Sequence, residues 1–269
     1  MGYFGLPGFV MLGVGPAFSE WFIYHWGFEG IFVSIPMMFL VVILILIRLA
    51  RPWTPVEVRR QSFTEAMSAS LPRLKAILIF SMFFGLCFSA WNSFIAPAVR
   101  SVGNGAVSSF GMGYGLGAVA TRLGISHRLD TGRRRLAAIS TLFVYGTAMA
   151  LIPHATAAWQ LAVLGLACGM VHGTYYPALS SIAAERFHPV HEGQAMGLYI
   201  AASGLGMFLG PPLWGALADF GGYPFVFAIA GLSLAFNTVF FLISEYRRKP
   251  SQRGQSHEST VVSELTIDD

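Results

Sequence analysis

His172 is the one histidine set deep within a long apolar stretch of this chain, and Tyr175 and Tyr176 follow it. On a helix, positions i+3 and i+4 lie on the same side as position i. An imidazole flanked by two phenols can hydrogen-bond and stack with a polar solute. A second group is the short polar stripe of Ser89, Asn92 and Ser93 beside Trp91. Lone polar side chains in apolar helices commonly hydrogen-bond a neighbouring helix. Each group therefore has a packing reading beside a binding one. In the binding reading, Trp91, Asn92, His172, Tyr175 and Tyr176 are walls of a substrate cavity.

A third group is Asp130 followed by Arg133, Arg134 and Arg135. The arginines suit an anchor on lipid phosphates. Paired with Asp130 or a helix C-terminus, Arg133 and Arg134 also suit a latch that breaks and reforms. Glycines recur every four residues at 165, 169 and 173, at 206 and 210, and at 111 and 115. Such spacing lets helix backbones approach closely; thin faces of this kind also suit sliding during a conformational change. Glu20 stands some seventeen residues into its apolar run, ~26 Å along a helix, which suits an interfacial side chain reaching water.

Covalent chemistry has little footing. There is no HExxH, GxSxG or phosphate loop, and the glycines around Gly113 and Gly117 follow no strand pattern. Cys87 and Cys168 sit singly in apolar runs, without disulfide or metal-ligand spacing. No metal, cofactor or nucleic-acid partner is expected.

The elements that must position these residues are drawn by charge. Only 11% of the residues are charged and 55% are apolar, where soluble chains carry about 25% and 45–50%. The charges cluster: eight lie within 48–75, six within 122–135, three within 185–192 and nine within 245–269. Between them run eight charge-poor stretches, at about 3–25, 30–47, 76–99, 103–121, 136–153, 157–184, 194–218 and 222–244. About 20 residues of helix cross a bilayer, and in lipid a lone strand would leave its backbone unsatisfied. The expected class is an all-α polytopic membrane protein with eight transmembrane helices. Gly27, Gly103–Asn104, Pro153 and Gly221–Gly222 mark breaks between spans.

With eight crossings, sixteen of the seventeen Lys and Arg residues fall on one side, Arg100 being the exception. The positive-inside rule makes that side cytoplasmic, with both termini there. The expected location is the plasma (inner) membrane. Residues 49–75 form a cytoplasmic bridge, of which 57–70 could lie as a short helix on the membrane surface. Residues 245–269 read as a polar, disordered cytoplasmic tail.

A shift of 195 residues lays the chain on itself. Met1 falls on Met196, Gly2 on Gly197, Gly15 on Gly210, Pro16 on Pro211, Gly27 on Gly222 and Phe32 on Phe227. The first two spans thus repeat as the last two. The repeat unit is six helices long, and an even number gives the two copies one orientation, as in parallel repeats. Residues 76–244 then form a complete six-helix bundle. Residues 1–48 are the last two helices of an incomplete N-terminal bundle, and four helices are missing from that unit.

Two parallel six-helix units resemble the major facilitator superfamily of secondary transporters. The resemblance covers residues 1–245. Gly15–Pro16 is similar to the Gly-Pro of that family's fifth helix, prominent in its antiporters, although Phe18, Ser19 and Glu20 replace the usual small residues. Gly124 through Arg135 resembles the family's short cytoplasmic loop, with Asp130 and Gly132 one residue closer than usual. His188–Pro189 through Gly193, then Ala195–Met196–Gly197, resembles the lead into its eleventh helix. The resemblance implies movement of a small-molecule substrate across a lipid bilayer by alternating access. It places Gly15, Pro16, Gly210 and Pro211 where the two bundles meet, and the third and sixth spans along the central cavity. Ion coupling and oligomeric state stay open. A non-transporting membrane scaffold or defunct fragment is the alternative, because half the cavity is missing. A membrane enzyme would need clustered acids or metal ligands within the spans.

Overall fold

The structure, a computed structural model, describes residues 6–49, 63–103, 107–124, 132–185 and 192–247. Among these residues the secondary structure is helical throughout, with no strand. The elements are α1 (Leu6–Leu49), α2 (Phe63–Ser101), α3 (Val107–Gly124), α4 (Gly132–Ser140), α5 (Leu142–Leu151), a 3-10 turn at Ile152–His154, α6 (Ala158–Glu185) and α7 (Glu192–Tyr246). Four stretches are long and apolar enough to cross a membrane: Pro7–Leu49, Leu74–Ser101, Leu136–His154 and Met196–Tyr246.

Two of these helices are broken at a single residue. Gly27 has φ 65° and ψ −176° within α1, and Gly222 has φ 73° and ψ 179° within α7. Only glycine occupies that region without strain. The two glycines are partners in the 195-residue repeat, so both copies turn at the same place by the same backbone rotation. Gly103, at φ 78°, ends α2 similarly. Pro153 sits in the 3-10 turn that ends the next run.

The expected surface helix within 57–70 is not a separate element. From Phe63 the backbone runs as one helix into the apolar stretch that ends at Ser101, while residues 57–62 lie outside the described residues. The expected span at 136–153 is interrupted at Thr141. There the hydroxyls of Ser140 and Thr141 donate to the carbonyls of Ala137 and Ala138 at 2.7 and 2.6 Å. Back-bonding of this kind competes with the helix ladder and bends it.

Helices pair through the small-residue faces. α2 packs chiefly on α7, α3 on α6, α1 on α3 and α5 on α7. A methyl group added at Gly165 would collide with the carbonyl of Phe110, and one at Gly169 with that of Tyr114. At Gly206 it would meet the Met82 carbonyl, and at Gly210 the Ser89 hydroxyl. Side-chain donors lock the same seams. Ser81 donates to the Tyr199 carbonyl at 3.1 Å, Trp214 Nε1 to that of Leu86 at 2.8 Å, and Asn237 to that of Phe80 at 3.1 Å. Between apolar helices in lipid, close contact and such bonds replace the hydrophobic drive.

α1 is the exception. Its first half touches α3 along one narrow edge, where Phe9 and Gly13 are buried and Pro16 sits over Gly111. Every residue from Ile35 to Leu49 is exposed.

Candidate functional site

Aromatic residues from several helices converge on one buried cluster. α2 contributes Phe84, Phe88 and Trp91, at helical spacing on one face. α3 contributes Phe110 and Tyr114, α5 Tyr145, α6 His172, Tyr175 and Tyr176, α7 Tyr199, and α1 Phe9. All but Tyr176 are buried. His172 lies at the centre, with 8% of its surface exposed. Its ring is edge-on to Phe9 at 5.2 Å between centroids, Phe84 at 5.5 Å, Phe88 at 5.6 Å and Tyr114 at 5.8 Å. Edge-to-face geometry matches the quadrupoles of such rings.

Polar atoms inside the cluster are joined in two pairs. Trp91 Nε1 donates to the Tyr145 hydroxyl at 2.8 Å. The Tyr114 hydroxyl and His172 Nδ1 are also hydrogen-bonded. One bond ties α2 to α5 and the other ties α3 to α6. Towards the end of α3, the guanidinium of Arg122 lies 5.7 Å from the centroid of the Phe9 ring, within cation–π range. Arg122 itself is 6% exposed.

The residues singled out from the sequence divide. Trp91, His172, Tyr175 and Tyr176 come together, and the i+3 and i+4 spacing after His172 brings both phenols to its ring, at 5.3 and 5.9 Å. Asn92 and Ser93 are exposed on the other side of α2. Ser89 is buried, accepts from Trp214 Nε1 at 3.2 Å and packs against Gly210. Pro16 contacts Gly111, whereas nothing lies within 4 Å of a methyl group at Gly15. Pro211 lies within α7, half-buried. Arg133 and Arg134 belong to the first turn of α4, and Asp130 lies outside the described residues.

Sequence reasoning missed Tyr114, Tyr145, Tyr199 and Arg122. A signal existed for the three tyrosines: each is the lone tyrosine of its apolar run. Arg122 was read only as a loop charge.

Helices long and apolar enough to cross a bilayer, packed through small residues around a buried aromatic cluster, belong to an integral membrane protein. The family model of the Major Facilitator Superfamily matches residues 100–267, more than half of the chain. The chain belongs to the major facilitator superfamily of transporters. It is also similar to the Staphylopine export protein of Staphylococcus aureus (strain Mu50 / ATCC 700699), with 30% identity over 88 residues. That match covers 33% of this chain and 21% of the relative.

Proposed function

We propose that the chain moves a small solute across the membrane by alternating access. In this reading the helical segments on either side of Gly27 and Gly222 each cross once, giving eight crossings with both termini cytoplasmic, in the plasma (inner) membrane. The apolar stretches of 43 and 51 residues that contain these breaks are about twice the length that spans a hydrocarbon core. The segments of α1 are the last two helices of one six-helix unit. The remaining segments are the second unit, complete.

One observation carries the proposal. Phe9, from the partial unit, is edge-on to His172, from the complete unit. The aromatic cluster thus lies on the seam between units, where rocking of one against the other would open it to either side. His172, Trp91, Tyr175 and Tyr176 then serve as solute contacts. Asn92, exposed on α2, would face the first unit. Gly15, Pro16, Gly210 and Pro211 serve as bundle-interface positions, and Asp130, Arg133 and Arg134 as a cytoplasmic latch. The relative's name supports export and offers staphylopine as a first solute to try.

A non-transporting scaffold is the second reading, favoured by the exposure of every residue from Ile35 to Leu49. Uptake into inside-out vesicles separates the two. The transport reading predicts accumulation of staphylopine or a similar small metabolite when both six-helix units are present, and the scaffold reading predicts none. Phe9→Ala or His172→Ala should then cut it about tenfold, the worth of ~1.4 kcal/mol. Accumulation that ignores both substitutions would remove the cluster from the pathway.

A further inference from the structure

The aromatic cluster is closed differently at its two ends. Near the start of α3, Trp91 of α2 packs on Phe110 at 5.1 Å between centroids and donates to the Tyr145 hydroxyl at 2.8 Å. These three groups sit on α2, α3 and α5, all within the complete unit. Towards the end of α3 the closing group is Phe9 of α1, from the other unit. Its ring is buried and edge-on to His172 at 5.2 Å. On the same ring lies the Arg122 guanidinium, 5.7 Å from the centroid. Arg122 stands in the last turn of α3 and is buried too. The charge map makes this the cytoplasmic end.

The seam that carries Phe9 is thin just beside it. A methyl group at Gly115 would lie 2.6 Å from the Gly13 Cα, and one at Gly13 would lie 3.0 Å from the Gly115 Cα. Backbone thus rests on backbone at that point. Pro16 over Gly111 continues the contact away from Arg122, so α1 and α3 run antiparallel. Phe9 stands four residues from Gly13, ~6 Å along the helix. A tilt of α1 about the Gly13–Gly115 contact therefore lifts Phe9 from His172 and from Arg122 together. The groups at the Trp91 end belong to one unit and move as one.

We infer that Phe9 is a plug that closes the His172 cluster against the cytoplasm, and that Arg122 is its catch, holding the ring by a cation–π contact until the two units rock apart. Such a contact is strongest where cation and ring are both desolvated, as these two are. The closed contact stands on the geometry; its opening rests on the transport reading above.

The test uses the full chain in sealed vesicles of either orientation, with Cys87→Ala so that Cys168 is the one thiol. Cys168 is buried one turn before His172 on the same helix face and reports entry to the cluster. Its modification by a small, impermeant methanethiosulfonate is timed from each face. The chain with Phe9 intact is expected to react slowly from both. Phe9→Ala should raise the rate about tenfold from the cytoplasmic face and leave the outer rate unchanged. Phe9→Leu, which keeps apolar bulk and removes the ring, should raise it less, and it keeps the test decisive if Phe9→Ala fails to fold. Arg122→Gln should raise the rate beside Phe9 and add nothing beside Leu at position 9, as coupled partners do. Unchanged rates in both Phe9 variants, a rise from the outer face, or fast cytoplasmic labelling with Phe9 intact would overturn the plug. An equal effect of Arg122→Gln with and without the ring would overturn the catch alone. No solute is used, so failure of vesicles to accumulate one bears on the transport reading and leaves the labelling result standing.

Discussion

At the scale of single residues, the cluster shows how far spacing can be read. The i+3 and i+4 phenols after His172 were legible because one helix sets their geometry. The partners of His172 beyond its own helix, Tyr114 through its hydroxyl and Phe9 through an edge-to-face contact, come from other helices, and no spacing encodes that meeting. Asn92 shows the converse. It neighbours Trp91 in sequence, yet one step along a helix turns it about 100° away, and it is exposed. The Trp91–Tyr145 bond makes a prediction of its own. Trp91→Phe and Tyr145→Phe should each lower stability by ~1–3 kcal/mol, because each leaves a buried partner unpaired. The double variant should lose clearly less than the sum, since both remove the same bond. Unfolding midpoints of the three variants in one detergent check this. Strict additivity would show that the indole and the phenol act independently.

At the scale of elements, the breaks were legible and the pairings were not. Gly27, Gly103, Pro153 and Gly222 end helices where glycine and proline chemistry requires. Which helix packs on which was hidden, because these helices are apolar all round and lipid is as apolar as a helix face. Small-residue stripes marked the contact faces without naming the partner. Gly169→Ala pushes a methyl group into the Tyr114 carbonyl. It should destabilise the α3–α6 pair by ~1–3 kcal/mol, the usual cost of overpacking. Gly197→Ala, with nothing within 4 Å, should be neutral or slightly stabilising through helix propensity. Thermal midpoints of the two variants compared side by side test the contact. At the turns, Gly27→Ala and Gly222→Ala both force a side chain into a left-handed conformation, so each should lose ~1–2 kcal/mol. A variant that gains stability would show that the turn is not held at positive φ.

At the scale of the whole molecule, the 195-residue repeat and the charge map together set the arrangement. The repeat was legible because Gly27 and Gly222 must both turn, and both do so with nearly the same angles. The half of α1 beyond Gly27 was legible as apolar, but its exposure was not, since that depends on which helices stand beside it. With no protein cover from Ile35 to Leu49, this segment should exchange its amide hydrogens faster in detergent than residues 74–101, which pack against α7. Equal protection would mean that something else covers it, such as a second copy. The transport reading stands on eight crossings in two parallel units, and cysteine accessibility in intact cells measures that directly. Single cysteines replacing Thr54, Thr131 and Gln252 are expected to react only with a reagent that reaches the cytoplasm, and one replacing Asn104 with an impermeant reagent outside. Labelling of the Thr131 position from outside would contradict the arrangement.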